Sequence, residues 1–256
     1  MSRMSLIPYS LAGLVLFFGL WQGVVSVGLV SAFVLPPPLD VIERIWTMMN
    51  RPFAGFLLHE HLASSFMRFF YGFALAATIG IPVGLMMGRF RLFEEIITPL
   101  FEGYRYVAPL AWVPFAALWF GTGIGGPIMV IFTGAFAPCV INAYRGARLV
   151  DRHLIEAAQT HGAGEFRIAR EVLLPGALPS IVAGLRISAG LGWQSLIGAE
   201  LIVVSSGIGY VMVQGQSNLS PSIVMSAMIV IGFTGLVIDY VLRFAEARVR
   251  AKWGGA

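Results

Sequence analysis

DRHLIEAAQTHGAGEFRIAREVLLPGALP, Asp151 to Pro179, is a polar interval set between long apolar segments, and a stretch of that composition faces water. Asp151 suits an N-cap, its carboxylate accepting from the unpaired amides of a first helical turn. Leu154, Ala158 and His161 then recur at helical spacing, and Gly162 falls where a helix C-terminus calls for a left-handed residue. Gly164 loosens the chain before Phe166, Ala169 and Leu173 mark a second apolar stripe, which Pro175 and Pro179 are expected to end. The reading is a compact helical knuckle whose surface at Ala157 and Ala158 is small enough for the groove of another protein to close around it.

Around that interval the composition is that of a membrane protein. Hydrophobic residues make up 57% of the chain and charged residues 12%, with a mean hydropathy of +0.81; the charged share is about half that of soluble domains. The 256 residues therefore predict an all-α integral membrane protein, one domain over 1–256 with about six spans of roughly 20 residues each. The apolar segments fall at 7–30, 64–88, 99–120, 126–144, 179–201 and 222–242, with a cytoplasmic loop over 145–178. The first segment is longer than the apolar part of a secretory signal and no convincing cleavage site closes it, so it is expected to be retained. The single cysteine, Cys139, lies in an apolar run and reads as a buried thiol, without a disulfide or a CxxC metal site.

Between the spans, Leu35-Pro36-Pro37-Pro38 predicts an extended exit from the membrane, and Val41, Ile45 and Met48 an amphipathic helix lying at its interface. His59 and His61 stand two residues apart, which puts them on different faces of a helix, and they read as interfacial polar residues with no metal role. Gly121 to Gly126 forms a tight turn without the lysine of a phosphate loop. Ser205 to Pro221 is too polar to face lipid and too apolar to lie free in water, so a short re-entrant or interfacial helix is expected there.

Charge placement orients the chain. Six spans put Arg3, Arg89, Arg91, Arg145, Arg148, Arg152, Arg167, Arg170, Arg243, Arg248, Arg250 and Lys252 on one side, against Arg44, Arg51 and the boundary residue Arg68 on the other. Basic loops stay in the cytoplasm, which places both termini and the knuckle there. The isoelectric point near 9.6 reflects this topology, and no basic face with interleaved aromatics suggests nucleic acid. Lys252 is the only lysine, so no Gly-Lys-Ser/Thr phosphate loop exists, and any ATP must be bound by another chain. With neither GxSxG nor HExxH, the chain does not read as an enzyme, and it calls for no cofactor of its own.

Polar groups within spans are costly in hydrocarbon and tend to face a cavity. Arg105 opens the third segment, where Pro109 and Pro114 bracket Trp112 and free backbone carbonyls. Arg186, Gln194 and Glu200 lie along the fifth. Arg105, Pro109, Trp112, Gln194 and Glu200 are thus the candidates for a solute path. For Arg105 and Arg186 the alternative is snorkelling to headgroups, and for Glu200 a bond to the glycine-rich segment that follows it.

The knuckle also carries a specific resemblance. Glu156-Ala157-Ala158, three residues, Gly162, nine residues and Val172-x-Leu174-Pro175 is similar to the EAA loop of permeases of binding-protein-dependent ABC importers, with Val172 where that pattern has Ile. Leu35-Pro36-Pro37-Pro38, the Gly80 to Gly88 run, Pro109 to Pro114, Trp119-Phe120-Gly121, Gly184-Leu185-Arg186, Gly198-Ala199-Glu200 and Gly207-Ile208-Gly209-Tyr210 resemble the aliphatic sulfonate, taurine, nitrate and bicarbonate group. The resemblance implies a type I ABC importer permease fold in the bacterial cytoplasmic (inner) membrane. It implies that Glu156, Ala157, Ala158, Gln159, Thr160, His161 and Gly162 form a coupling helix that docks into an ATPase subunit. Its implied partners are a second permease copy, ATPase subunits that hold the ATP and Mg²⁺, and a solute-binding protein, periplasmic or lipid-anchored. The implied cargo is a small oxyanion such as a sulfonate, taurine, nitrate or bicarbonate. Two alternatives stay open: the same machinery importing a vitamin precursor or an aromatic acid, and an ion-coupled secondary transporter, for which no internal repeat is found.

Overall fold

Long apolar runs satisfy their own backbone in lipid only as helices or closed barrels. The computed structural model describes residues 7–202 and 204–253, and is helical with no strand among those residues; Arg3 lies outside them. Helices α1 (Ile7–Ser26), α2 (Pro38–Asn50), α3 (Leu58–Arg89), α4 (Arg91–Arg105) and α5 (Val113–Phe120) lead to α6 (Gly125–Leu149). The polar interval holds α7 (Arg152–Thr160) and α8 (Glu165–Ile168), and α9 (Leu174–Glu200), α10 (Ile208–Ser217) and α11 (Pro221–Trp253) complete the order. Among the described residues, α3, α6, the continuous run Glu165–Glu200 and α11 are long and apolar enough to cross a membrane; Ala12–Ser26 and Pro109–Phe120 are apolar but shorter.

The chain divides into two compact units, of which the first comprises Met1–Ala63 and Ser206–Gly232. Its core joins Met48 and Leu58 to Ile208, Val211, Ile223 and Ala227. Ser226 Oγ donates to the Val41 carbonyl at 3.0 Å. The stripe expected at the membrane interface is therefore turned into protein: Val41 is 0% and Met48 3% exposed, while Leu39 and Trp46 across the helix are bare. His61 is likewise turned into protein. It is buried, its Nδ1 accepting from the Gly207 amide at 3.1 Å and its Nε2 donating to the Phe53 carbonyl at 3.0 Å, which fixes the Nε2–H tautomer.

The second unit comprises Ser64–Ser205 and Phe233–Ala256. Helix α6 is its axis: 61% of its most apolar window is buried, against 17% for α11. Glycines at four-residue spacing let α3 approach it closely. A Cβ at Gly80 would stand 2.8 Å from that of Cys139, and at Gly84 or Gly88 it would collide with the Val140 carbonyl or the Ala147 side chain. Cys139 is buried, and its Sγ donates to Ser188 Oγ on α9 at 3.1 Å.

Two boundaries differ from those the sequence suggests. The segment at 99–120 is broken: α4 ends at Arg105, and a 3-10 turn (Pro109–Trp112) precedes α5. Ala108 sits at φ −57°, ψ 137°, the extended geometry that a proline imposes on the residue before it. Pro175 and Pro179, conversely, do not stop the second knuckle helix. A π turn (Ala169–Leu173) carries α8 into α9, and this wider turn accommodates the ladder bond that Pro175 cannot donate.

Candidate functional site

The knuckle is built by its caps. Asp151 Oδ1 accepts from the His153 amide at 2.9 Å and so starts α7. At the other end Gly162 adopts φ +76°, its amide donating to Gln159 O at 2.9 Å and the Ala163 amide to Ala158 O at 3.0 Å. Those bonds satisfy carbonyls the helix end would leave bare. No atom lies within 4 Å of a Cβ placed at Gly162, so it is the backbone angle, and not crowding, that calls for glycine.

Helix α7 buries none of its residues. Glu156, Ala157, Gln159, Thr160, His161 and Gly162 are exposed and Ala158 is half-buried. Within α7, Glu156 pairs with Arg152 at 3.1 Å, Thr160 Oγ1 donates to the Glu156 carbonyl at 2.9 Å, and His161 Nδ1 donates to Ala157 O at 2.8 Å. Leu154 and Phe166 add bare apolar surface, Phe166 being 80% exposed. The knuckle is tied to the spans by Arg89, the last residue of α3, whose guanidinium meets the Glu165 carboxylate at 2.8 Å. Beside it, Glu94 of α4 accepts from Arg148 at 2.6 Å and from Tyr144 OH at 2.5 Å. The Arg148 guanidinium, then the Tyr144 hydroxyl, hold the Glu94 carboxyl below its ordinary value.

A cavity of about 660 Å³ lies among α4, α6 and α9. Its walls are the turn from Tyr104 to Leu110, the α6 residues Thr133, Gly134, Ala137, Pro138, Ile141, Asn142 and Arg145, and the α9 residues Ile187, Leu191, Gln194 and Ser195. Of the residues singled out for a path, Arg105, Pro109 and Gln194 line it, whereas Trp112 and Glu200 do not. Trp112 packs its ring against Tyr104 and Phe115. Glu200 is fully buried and pairs with Arg68 Nη1 at 2.8 Å while accepting from Ser65 Oγ. Arg186 is held by α11, by Asp239 at 2.6 Å and Glu246 at 3.4 Å.

Arg145 is a wall residue that the sequence does not single out, because an apolar span ending at 144 leaves it as a loop cation. Helix α6 continues to Leu149. Gly134, Pro138, Ile141 and Arg145 form one stripe at helical spacing, and that periodicity was the available signal. Among the described residues no group of three or more His, Cys, Asp and Glu is placed to hold a metal.

Membrane-length helices that carry an outward-turned, capped polar helix and line a solute-sized cavity fit a membrane transport subunit. Residues 80–252 match the model of the binding-protein-dependent transport system inner membrane component, and the chain belongs to that family. It is 35% identical over 250 residues to the taurine transport system permease protein TauC of Escherichia coli (strain K12), covering 97% of this chain and 90% of that one. It is also 35% identical over 236 residues to the putative aliphatic sulfonates transport permease protein SsuC of the same organism, covering 92% and 88%. Its fold is shared with an inward-facing structure of the MetNI methionine ABC transporter, at a TM-score of 0.60 and 21% identity over 83% of this chain and 96% of that one. The protein is the membrane permease of an ABC importer, with a type I permease fold.

Proposed function

We propose that this permease forms the path for a small oxyanion, first of all a sulfonate such as taurine, delivered by a solute-binding protein and driven by a separate ATPase. The observation that carries the cargo reading is the cavity, whose lining holds Arg105 and Arg145 and no acidic residue. A positive wall of that kind raises the local concentration of anions. The names of the two curated relatives favour the same class of solute.

The ATPase docks on α7. Glu156, Ala157, Ala158, Gln159, Thr160, His161 and Gly162 form the contact, with ATP and Mg²⁺ held on the partner. Two permease copies make the path. The chain lies in the cytoplasmic (inner) membrane of a bacterium with both termini and the knuckle inside, as the basic residues Arg148, Arg152, Arg167, Arg170, Arg248 and Arg250 favour. Reconstitution with its ATPase and binding protein tests the cargo: ATP-dependent uptake of labelled taurine or ethanesulfonate supports it. Active ATP hydrolysis without uptake of either anion, or of bicarbonate or nitrate, contradicts it.

A further inference from the structure

We propose that Arg145 is the anion-recognising residue of the cavity, the group on which the sulfonate or carboxylate head of a passing solute rests. The inference deepens the oxyanion reading and rests on it for the cargo, but the charge of the cavity can be tested alone.

The arginines around the cavity differ in what holds them. Arg105 is committed: its Nε meets Glu102 Oε2 at 2.8 Å, its Nη2 donates to Tyr106 OH at 3.1 Å, and its guanidinium lies over the Tyr106 ring at 4.9 Å. Arg186 carries two carboxylates and Arg68 is buried with Glu200. Arg145, among the described residues, makes no ion pair and no hydrogen bond, although it lines the cavity and is exposed. Gln194 on the facing wall is likewise without a protein partner for its amide, and the Asn142 amide is satisfied only on the nitrogen side, by Pro138 O at 2.8 Å.

The register separates the two cations. Helices α4 and α6 run antiparallel, with Tyr104 OH donating to Thr133 O at 3.1 Å, and Glu94, ten residues before Tyr104, reaching Arg148, fifteen residues after Thr133. Arg105 therefore marks the Thr133 end of the cavity, and Arg145 the other, about 18 Å away along the helix at 1.5 Å per residue. A guanidinium offers a planar fork of donors that fits a sulfonate or carboxylate bidentately. Arg105 spends that fork on its own helix. At Arg145 it is open, one turn from Ile141 and in reach of the same space as Asn142 and Gln194.

The test uses full-length chain in open membrane fragments, in a Cys139→Ala background carrying Ile141→Cys as a reporter in the cavity wall. The probes are two methanethiosulfonates of similar size, one bearing a sulfonate and one a trimethylammonium group. The proposal predicts faster labelling by the sulfonate reagent, and a fall of about fivefold or more in the sulfonate-to-ammonium rate ratio on Arg145→Gln. Arg145→Lys should keep most of the preference. An unchanged ratio in Arg145→Gln overturns the proposal, and so does failure of the sulfonate reagent to reach Cys at 141, since the cavity would then not admit an anion. This measurement needs neither the ATPase nor knowledge of the cargo, so a permease that labels as predicted yet imports no oxyanion would sink the cargo reading and leave the charge of Arg145 standing.

Discussion

Arg89 and Glu165 meet at two points, Arg89 Nε donating to Glu165 Oε2 at 3.1 Å and Nη2 to Oε1 at 2.8 Å, and they join the end of α3 to the residue that opens α8. The pair is partly exposed, with side chains 22% and 52% accessible, so it contributes only about 0.2–1 kcal/mol to stability. Its geometry matters more, because it fixes the knuckle to a span that packs along α6. Arg89→Glu is expected to leave the permease folded and inserted but to cut the stimulation of ATP hydrolysis by loaded binding protein severalfold. Arg89→Glu with Glu165→Arg should restore it. Equal stimulation in wild type and single mutant would remove the pair from the coupling route.

Gly162 has open space around it and a left-handed backbone, so substitutions there should rank by their tolerance of positive φ. Alanine carries a penalty of about 1–2 kcal/mol at such a position and asparagine less. Transport activity in reconstituted vesicles is therefore expected to fall in the order Gly, Asn, Ala, Val. A ranking by side-chain volume, with Asn below Ala, would point to crowding by a docked partner instead.

Glu200 is 0% exposed and shares its charge with Arg68 on α3. Removing one member of such a pair leaves the other charge buried, at a cost of about 3–5 kcal/mol, whereas replacing both with apolar residues is often neutral. Thermal unfolding in detergent should show Glu200→Ala strongly destabilised and Arg68→Met with Glu200→Leu much closer to wild type. A mild effect of Glu200→Ala would mean that water reaches the pair.

Arg148 and Tyr144 depress the Glu94 carboxyl below its ordinary value of 4.5. A carboxyl lowered in the folded state adds stability above its unfolded value, and that contribution is lost as pH falls through the folded one. The stability difference between wild type and Glu94→Gln should accordingly be flat from neutral pH to about pH 5 and shrink below 4.5. A difference that grew on acidification would contradict the sign.

The knuckle was legible in the sequence because its determinants are local: an aspartate two residues before the amide it caps, and a glycine where the helix must turn left-handed. The pairings were not. Arg68 and Glu200 are 132 positions apart, Arg186 and Asp239 are 53 apart, and nothing in periodicity says which buried charge finds which. Hydropathy smoothed over the break at Ala108, although Pro109 announced it. Charge counting assigned Arg145 to a side of the membrane and was silent on which way it faces along α6. The continuation past Pro175 escapes the sequence for a different reason: a proline ends a regular helix, and only the π turn lets this one continue.

The docking of an ATPase on α7 is tested most directly by co-purification. Tagged chain, extracted from its native membrane in mild detergent, should bring down an ATPase identifiable by mass spectrometry, and Gly162→Asp should lose that partner while remaining inserted at wild-type level. Recovery of no ATPase with the wild type, or undiminished recovery with Gly162→Asp, would contradict the role given to this helix.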